Sequence, residues 1–172
     1  MSSARVLFDA AAVDRALDAM AVAMRADPLF LVGIQRGGAQ VADALQERLV
    51  RQGCRVHRGN LDISFYRDDL DTIGPNPEVR PTRLPFDVTG RLIWLVDDVL
   101  YTGRTIRAAL GELFDYGRPT AIRLAVLVDR GGRQLPIAPD VVGLRHQAPM
   151  DCSVKLQSGP EGWRIVQRRV RP

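Results

Sequence analysis

The chain has 172 residues, 46% hydrophobic and 26% charged, which suits one soluble globular domain with a hydrophobic core of its own. No stretch reaches the apolar length of a membrane span, and no signal-peptide core opens the chain, so spanning and secreted classes are not expected. The net charge of +4 is carried almost wholly by arginine, with Lys155 the only lysine; arginine suits planar, bidentate phosphate recognition.

In chain order, Asp9 is placed to cap a first helix through about Arg25, with Val13, Leu17, Met20 and Met24 at helical spacing. Asp27-Pro28 stops it, and the apolar run Leu29 to Ile34 reads as a buried parallel strand. Gly33, Gly37 and Gly38 mark a tight loop, after which Val41, Leu45 and Leu49 share one face of a helix reaching about Gln52. Arg55 to Tyr66 reads as a longer strand. The segment from 67 to 85 has neither period, is crowded with Pro and Gly, and is expected to be a functional or a disordered loop. Leu92 to Val96 is the most apolar strand, closed by two aspartates, and Ile106, Ala109, Leu110, Leu113 and Phe114 trace an amphipathic helix ended by Gly117 and Pro119. Ala121 to Val128 is a further core strand. Short strands follow at Val141–Leu144, Ser153–Gln157 and Trp163–Val170, the last two joined as a hairpin by residues 158–162. The alternation implies an α/β fold with a mainly parallel central sheet flanked by helices. Cys54 and Cys152 read as buried hydrophobes in a reducing, cytoplasmic setting.

The segment 92–114 carries the chemistry. A buried strand delivers Asp97 and Asp98 to its carboxyl end, and Tyr101-Thr102-Gly103-Arg104-Thr105 leads directly into a helix. The start of a helix offers unpaired N–H groups and the positive end of its dipole, an anion site to which Thr102 and Thr105 add hydroxyls. Two carboxylates beside a phosphate repel it unless sugar hydroxyls or a magnesium ion lie between. The implied ligand is a phosphorylated sugar with free hydroxyls. The plainer reading, a polar strand end followed by an N-cap at Thr105, fits the same residues taken alone. Neither a Walker A pattern nor a G-x-G-x-x-G fingerprint is present.

Val96-Asp97-Asp98-Val99-Leu100-Tyr101-Thr102-Gly103-Arg104-Thr105 resembles the phosphoribosyl pyrophosphate motif of type I phosphoribosyltransferases. Together with Tyr66-Arg67-Asp68-Asp69-Leu70, Phe114 to Pro119, Leu124 to Gly131 and Leu135-Pro136-Ile137, it resembles the bacterial pyrimidine operon regulators, the PyrR family, over about residues 5 to 143. That resemblance implies a single phosphoribosyltransferase domain over residues 1–172. It includes a flexible loop at about 67–85 and a small C-terminal hood or hairpin within about 141–170. It implies uracil phosphoribosyltransferase activity with Mg2+ held mainly by substrate phosphates, and uridine-nucleotide-dependent (UMP or UTP) binding of a pyr mRNA leader. A homodimer or higher homo-oligomer is implied as well. Asp97, Asp98 and Arg67 would be the catalytic residues, and Asp97, Asp98, Tyr101, Thr102, Gly103, Arg104 and Thr105 would hold ribose and 5′-phosphate. Gln35, Arg36, Gly37 and Gly38 would form the pyrophosphate loop, in which related enzymes carry a cis peptide, here Gln35–Arg36. Tyr66, Arg67, Asp68 and Asp69 would open the closing loop, and Asp129, Arg130 and Val142 would lie near the base.

The chain departs from the family in two places. Its arginine sits one position earlier than in the Thr-Arg-Gly of many regulators, and after Gly143 the segment 144–151 departs from their Gly-Lys-x-x-Pro-Thr-Ser. A purine base as acceptor, or a regulator without catalysis, therefore stands beside uracil transfer. His146 reads as a surface histidine or a contact to base or RNA, and Trp94 and Trp163 as packing residues.

Overall fold

Apolar strands alternating with amphipathic helices bury their faces by stacking helices on both sides of a sheet, and the computed structural model has that form. It describes residues 4–63 and 81–170. The elements are β1 (Arg5–Phe8), α1 (Ala10–Met24), β2 (Leu29–Ile34), α2 (Gly37–Arg51), β3 (Val56–Leu61), β4 (Leu92–Leu100), α3 (Arg104–Asp115), β5 (Ala121–Asp129), β6 (Val141–Arg145), β7 (Cys152–Gly159) and β8 (Gly162–Arg169). The larger sheet is parallel throughout in the order β3-β2-β4-β5-β6, and an antiparallel sheet has the order β1-β8-β7.

Every residue of β2 is buried, as are Ile93 to Asp97 of β4 and Leu124 to Asp129 of β5, because both sheet faces are covered. Period-two alternation divides their side chains between two cores. Leu29, Leu31, Trp94, Val96, Ala125 and Leu127 pack with α1 and α2, while Val32, Ile34, Ile93, Leu95 and Val126 pack with Ile106, Ala109 and Leu113 of α3. Gly33 brings α2 close onto β2, since a Cβ there would lie 2.7 Å from the Ala39 Cα. Burying this apolar surface is the main stabilising term, at roughly 25 cal/mol per Å² removed from water.

The expected elements form, with three differences. β4 continues through Asp97 and Asp98 to Leu100, because β5 remains paired with it as far as Leu100↔Asp129. The strand expected from Arg55 to Tyr66 is described as β3 only to Leu61. β1 was not expected: four residues carry too little period to register, and its partner β8 lies at the other end of the chain. Asp9 does cap α1, accepting a 2.8 Å hydrogen bond from the Ala12 N–H. The C-terminal hairpin closes with Ser158↔Trp163 and Gly159↔Gly162. Trp94 and both cysteines are buried, and the cysteines are free thiols. Of the stretch expected as a loop from 67 to 85, the described end is anchored. Arg83 exchanges backbone hydrogen bonds of 2.8 and 2.9 Å with Asn60, and the Thr82 hydroxyl accepts from the Asp62 N–H at 3.0 Å.

Candidate active site

In a parallel sheet all strands end on one edge, where ligands bind in α/β proteins. The residues following β2, β4 and β5 therefore meet there: Gln35 to Gly38, Tyr101 to Thr105, and Arg130 to Arg133. The Gln35–Arg36 peptide is cis, at the position the resemblance implies. Tyr66, Arg67, Asp68 and Asp69 lie outside the described residues.

Asp98 follows Trp94 and Val96 in the β4 alternation, so it faces α2. Its carboxylate lies against Gly37, where a Cβ would come 2.1 Å from Oδ2. Gly38 presses on β4 itself, its Cβ position 2.4 Å from the Val96 carbonyl oxygen. These two glycines let the start of α2 touch the carboxylate pair. Asp97 is 2% exposed, and its Oδ1 accepts the Asp98 N–H at 2.9 Å. The second carboxylate is half-buried.

The helix starts differ in a way that matters for anions. Neither α2 nor α3 has a hydrogen bond from its N-cap side chain, whereas α1, which starts elsewhere, is capped by Asp9. A helix start presents its early N–H groups and the positive end of its dipole, which suits an anion. Gly103, not Thr105, is the N-cap of α3. Its φ of +95° belongs to glycine, so this residue sets the turn from strand to helix. The Arg104 N–H bonds to Thr102 Oγ1 at 3.2 Å, which helps shape the turn.

The base-region residues have definite partners. Asp129 accepts two hydrogen bonds from Arg133, at 3.0 and 2.9 Å, and one from the Gly131 N–H at 3.0 Å. Arg130 is 3% exposed; its guanidinium donates to the carbonyls of Cys152, Ala148 and Pro149 and lies 3.8 Å from the Tyr101 ring centroid. Val142 pairs with Val126 in the sheet and packs against the α3-side core. His146 bonds to Gln167 at 3.0 Å and meets Phe8 edge-on, which ties it to the hairpin.

Sequence reasoning did not pair Arg133 with Asp129, although their spacing of four was an available signal, and it missed the stacking of Arg130 on Tyr101. Gly131 and Gly132, both with positive φ, make these contacts possible: a Cβ on Gly131 would strike Gln147 and one on Gly132 the Tyr101 ring. A separate cavity of about 550 Å³ between α1, α2 and the β7–β8 turn is lined by Val13, Leu17, Arg48 and Trp163 and includes no motif residue. Its arginine is already held by Asp14 and Asp18.

No group of three or more His, Cys, Asp or Glu side chains among the described residues is arranged to hold a metal ion. The adjacent carboxylates of Asp97 and Asp98 supply oxygen atoms alone, beside the start of α2. Such a donor set fits a magnesium ion completed by phosphate and water oxygens, and does not fit an all-protein metal cage.

A doubly covered parallel sheet, with the start of α2 resting on a carboxylate pair at the strand ends, belongs here to a phosphoribosyltransferase: residues 7–157 match the Phosphoribosyl transferase domain family. The hypoxanthine phosphoribosyltransferase of Trypanosoma cruzi shares this fold, with a TM-score of 0.69 at 18% identity over 97% of each chain. The chain is 54% identical over 141 residues to the Bifunctional protein PyrR of Pseudomonas paraeruginosa, covering 82% of this chain and 81% of that one. It is 51% identical over 142 residues to that of Nitrosococcus oceani (83% and 79% covered) and 46% identical over 145 residues to that of Akkermansia muciniphila (82% of each). The chain belongs to the PyrR family of phosphoribosyltransferases.

Proposed function

We propose that the chain, acting as one unit over residues 1–172, transfers the phosphoribosyl group of phosphoribosyl pyrophosphate to uracil, giving UMP and pyrophosphate. It also regulates pyr gene expression by binding an mRNA leader in a uridine-nucleotide-dependent way. The observation that carries the enzymatic part is the contact of Gly37 and Gly38 with the Asp97–Asp98 end of β4, since it brings the start of α2 onto the carboxylates from which the chain runs through Tyr101–Thr105 into α3. In this reading Asp97 and Asp98 receive the ribose hydroxyls, and Tyr101 to Thr105 surround the 5′-phosphate. Gln35 to Gly38 receive the pyrophosphate. Magnesium, when bound, would neutralise phosphate charge as the leaving group departs. The bond from the anomeric carbon to the pyrophosphate oxygen breaks as the bond to the base nitrogen forms, with inversion, and the proton of that nitrogen passes to the departing pyrophosphate or to water. The protein contributes fixed dipoles and orientation more than a strong base. Arg67 and its neighbours Tyr66, Asp68 and Asp69 would cover the reacting centre and exclude water.

The deciding experiment is a panel of uracil, hypoxanthine, guanine and xanthine with phosphoribosyl pyrophosphate and Mg2+, followed by pyrophosphate release. Uracil is expected to be used; release with a purine alone would reassign the acceptor base. The regulatory part predicts a gel shift with the chain's own leader RNA that strengthens with UMP or UTP and weakens steeply with salt. Absence of a shift at low salt with UMP present would remove that part. The same reading places the protein in the cytoplasm, in keeping with two buried free thiols, and makes it a homodimer or higher homo-oligomer, to be measured by light scattering.

A further inference from the structure

The Arg133 guanidinium lies between the ends of β4 and β5, with its side chain 22% exposed. Nη1 donates to the Tyr101 carbonyl at 2.7 Å, Nε to the Ile137 carbonyl at 2.9 Å, and Nη2 to both oxygens of Asp129 at 3.0 and 2.9 Å. Next along the chain, the N–H groups of Gln134 and Leu135 donate to the Thr102 carbonyl at 3.0 and 3.1 Å. Leu135 and Ile137 also flank Gly103, 3.4 Å from where its Cβ would be. Residues 133–137 thus form the outer wall of the loop that starts α3.

A trans peptide unit carries its C=O and the following N–H in opposite directions. The peptides 101–102 and 102–103 are trans, the cis bonds being Asp27–Pro28 and Gln35–Arg36. Holding the Tyr101 carbonyl outward against Arg133 therefore turns the Thr102 N–H to the opposite side. Holding the Thr102 carbonyl against residues 134 and 135 does the same for the Gly103 N–H. Those are the donors at the start of α3, where an anion would sit.

We infer that Arg133 is a positioning residue for the phosphate end of the substrate. Through the Tyr101 carbonyl it fixes the 101–102 peptide plane, whose N–H is one of those that bind the 5′-phosphate, and Asp129 fixes Arg133 in turn. The inference rests on the reading of this loop as the 5′-phosphate site. Arginine is required because four hydrogen bonds in three directions need a planar guanidinium; a lysine ammonium reaches only part of the set.

The test measures ribose 5-phosphate binding by calorimetry, KM for phosphoribosyl pyrophosphate and for uracil, and the thermal midpoint. The proteins compared are wild type, Arg133→Met, Arg133→Lys and the double variant Arg133→Met/Asp129→Asn. Arg133→Met is expected to weaken ribose 5-phosphate binding and raise the phosphoribosyl pyrophosphate KM about tenfold or more, with a smaller effect on the uracil KM. Arg133→Lys recovers part of this. In Arg133→Met the Asp129 carboxylate keeps only the 3.5 Å pair with the largely exposed Arg145 and the Gly131 N–H, so the double variant, which removes that charge, regains thermal stability while ribose 5-phosphate binding stays weak. Should Arg133→Met fail to fold, Arg133→Lys and the double variant carry the comparison. Recovery of ribose 5-phosphate binding together with stability in the double variant would make Arg133 a merely structural residue. Unchanged binding in every Arg133 variant, with wild type binding normally, overturns the inference and leaves the reading of the site standing. A wild-type protein that binds no ribose 5-phosphate overturns both.

Discussion

The carboxylate of Asp98 fills the space that a side chain on Gly37 would need: a Cβ there would lie 2.1 Å from Oδ2 and 2.3 Å from Cγ. Gly38, one residue on, presses instead on backbone, 2.4 Å from the Val96 carbonyl oxygen. Adjacent glycines in one helix start thus guard different things, and the same substitution separates them. Gly37→Ala displaces a half-buried carboxylate while the helix stays seated, so kcat/KM should fall about 100-fold with little change in the unfolding midpoint. Gly38→Ala must push α2 away from β4, an overpacking cost of about 1–3 kcal/mol visible in denaturant titration. Equal losses of stability in the two variants would count against this division.

Asp98→Asn keeps volume and shape while removing a charge. The Asp98 N–H bond to the Asp97 carboxylate is made by the backbone and survives. The fold should therefore remain, while a ribose hydroxyl loses a charged acceptor. Hydrogen bonds to charged groups contribute about 1.5–3 kcal/mol, so turnover should drop at least about tenfold. Steady-state kinetics with both substrates, beside a circular dichroism melt, check it; an unchanged kcat/KM for each would exclude the role given to Asp98.

Much of this arrangement is legible in the sequence because it is local. The apolar runs at Leu29–Ile34 and Leu92–Val96 announce buried parallel strands, and the apolar spacing from Ile106 to Leu113 announces α3. What stayed hidden depends on chain segments far apart. β1 exists through its pairing with β8, across nearly the whole chain. The extension of β4 past its carboxylates depends on β5 staying in register beside it. Arg130 resembles any surface arginine in the sequence, yet Tyr101 and the carbonyls of 148, 149 and 152 close over it. No period or motif encodes such a convergence.

That convergence makes Arg130 the bolt between the donor loop and the turn that precedes β7. Its guanidinium receives the Tyr101 ring on one face and holds three backbone carbonyls at 2.6 to 3.3 Å. Arg130→Met retains the apolar stem but strips those carbonyls of their donors, each at about 1–3 kcal/mol when left buried and unsatisfied. A net loss of about 3 kcal/mol is expected, after water reaches some of them. Hydrogen exchange should locate the loosening at residues 148–152 and Tyr101 and leave β2 protected. A variant as stable as wild type, with unchanged exchange at these residues, would refute it.

Acid should loosen the same region through a different pair. The hydrogen bond from Arg169 Nε, 2.7 Å from Asp151 Oδ2, holds the Asp151 carboxyl below its ordinary 3.8, and the charge of Arg169 adds to this. The bond spans the end of the hairpin, where the Val170 N–H also donates to the Asp151 carbonyl at 2.7 Å. With the folded value below the unfolded one, the unfolded chain takes up the proton first as pH falls. The pair's contribution is therefore complete above pH 3.8 and is lost as pH drops through the lower, folded value. Both side chains are largely exposed, so the effect is small and salt-sensitive. Thermal melts of wild type and Asp151→Asn should differ by a constant amount near neutral pH and converge below pH 3.8, and high salt should shrink the neutral-pH gap. A gap that persists unchanged into acid would mean that packing, and not this ion pair, distinguishes the two proteins.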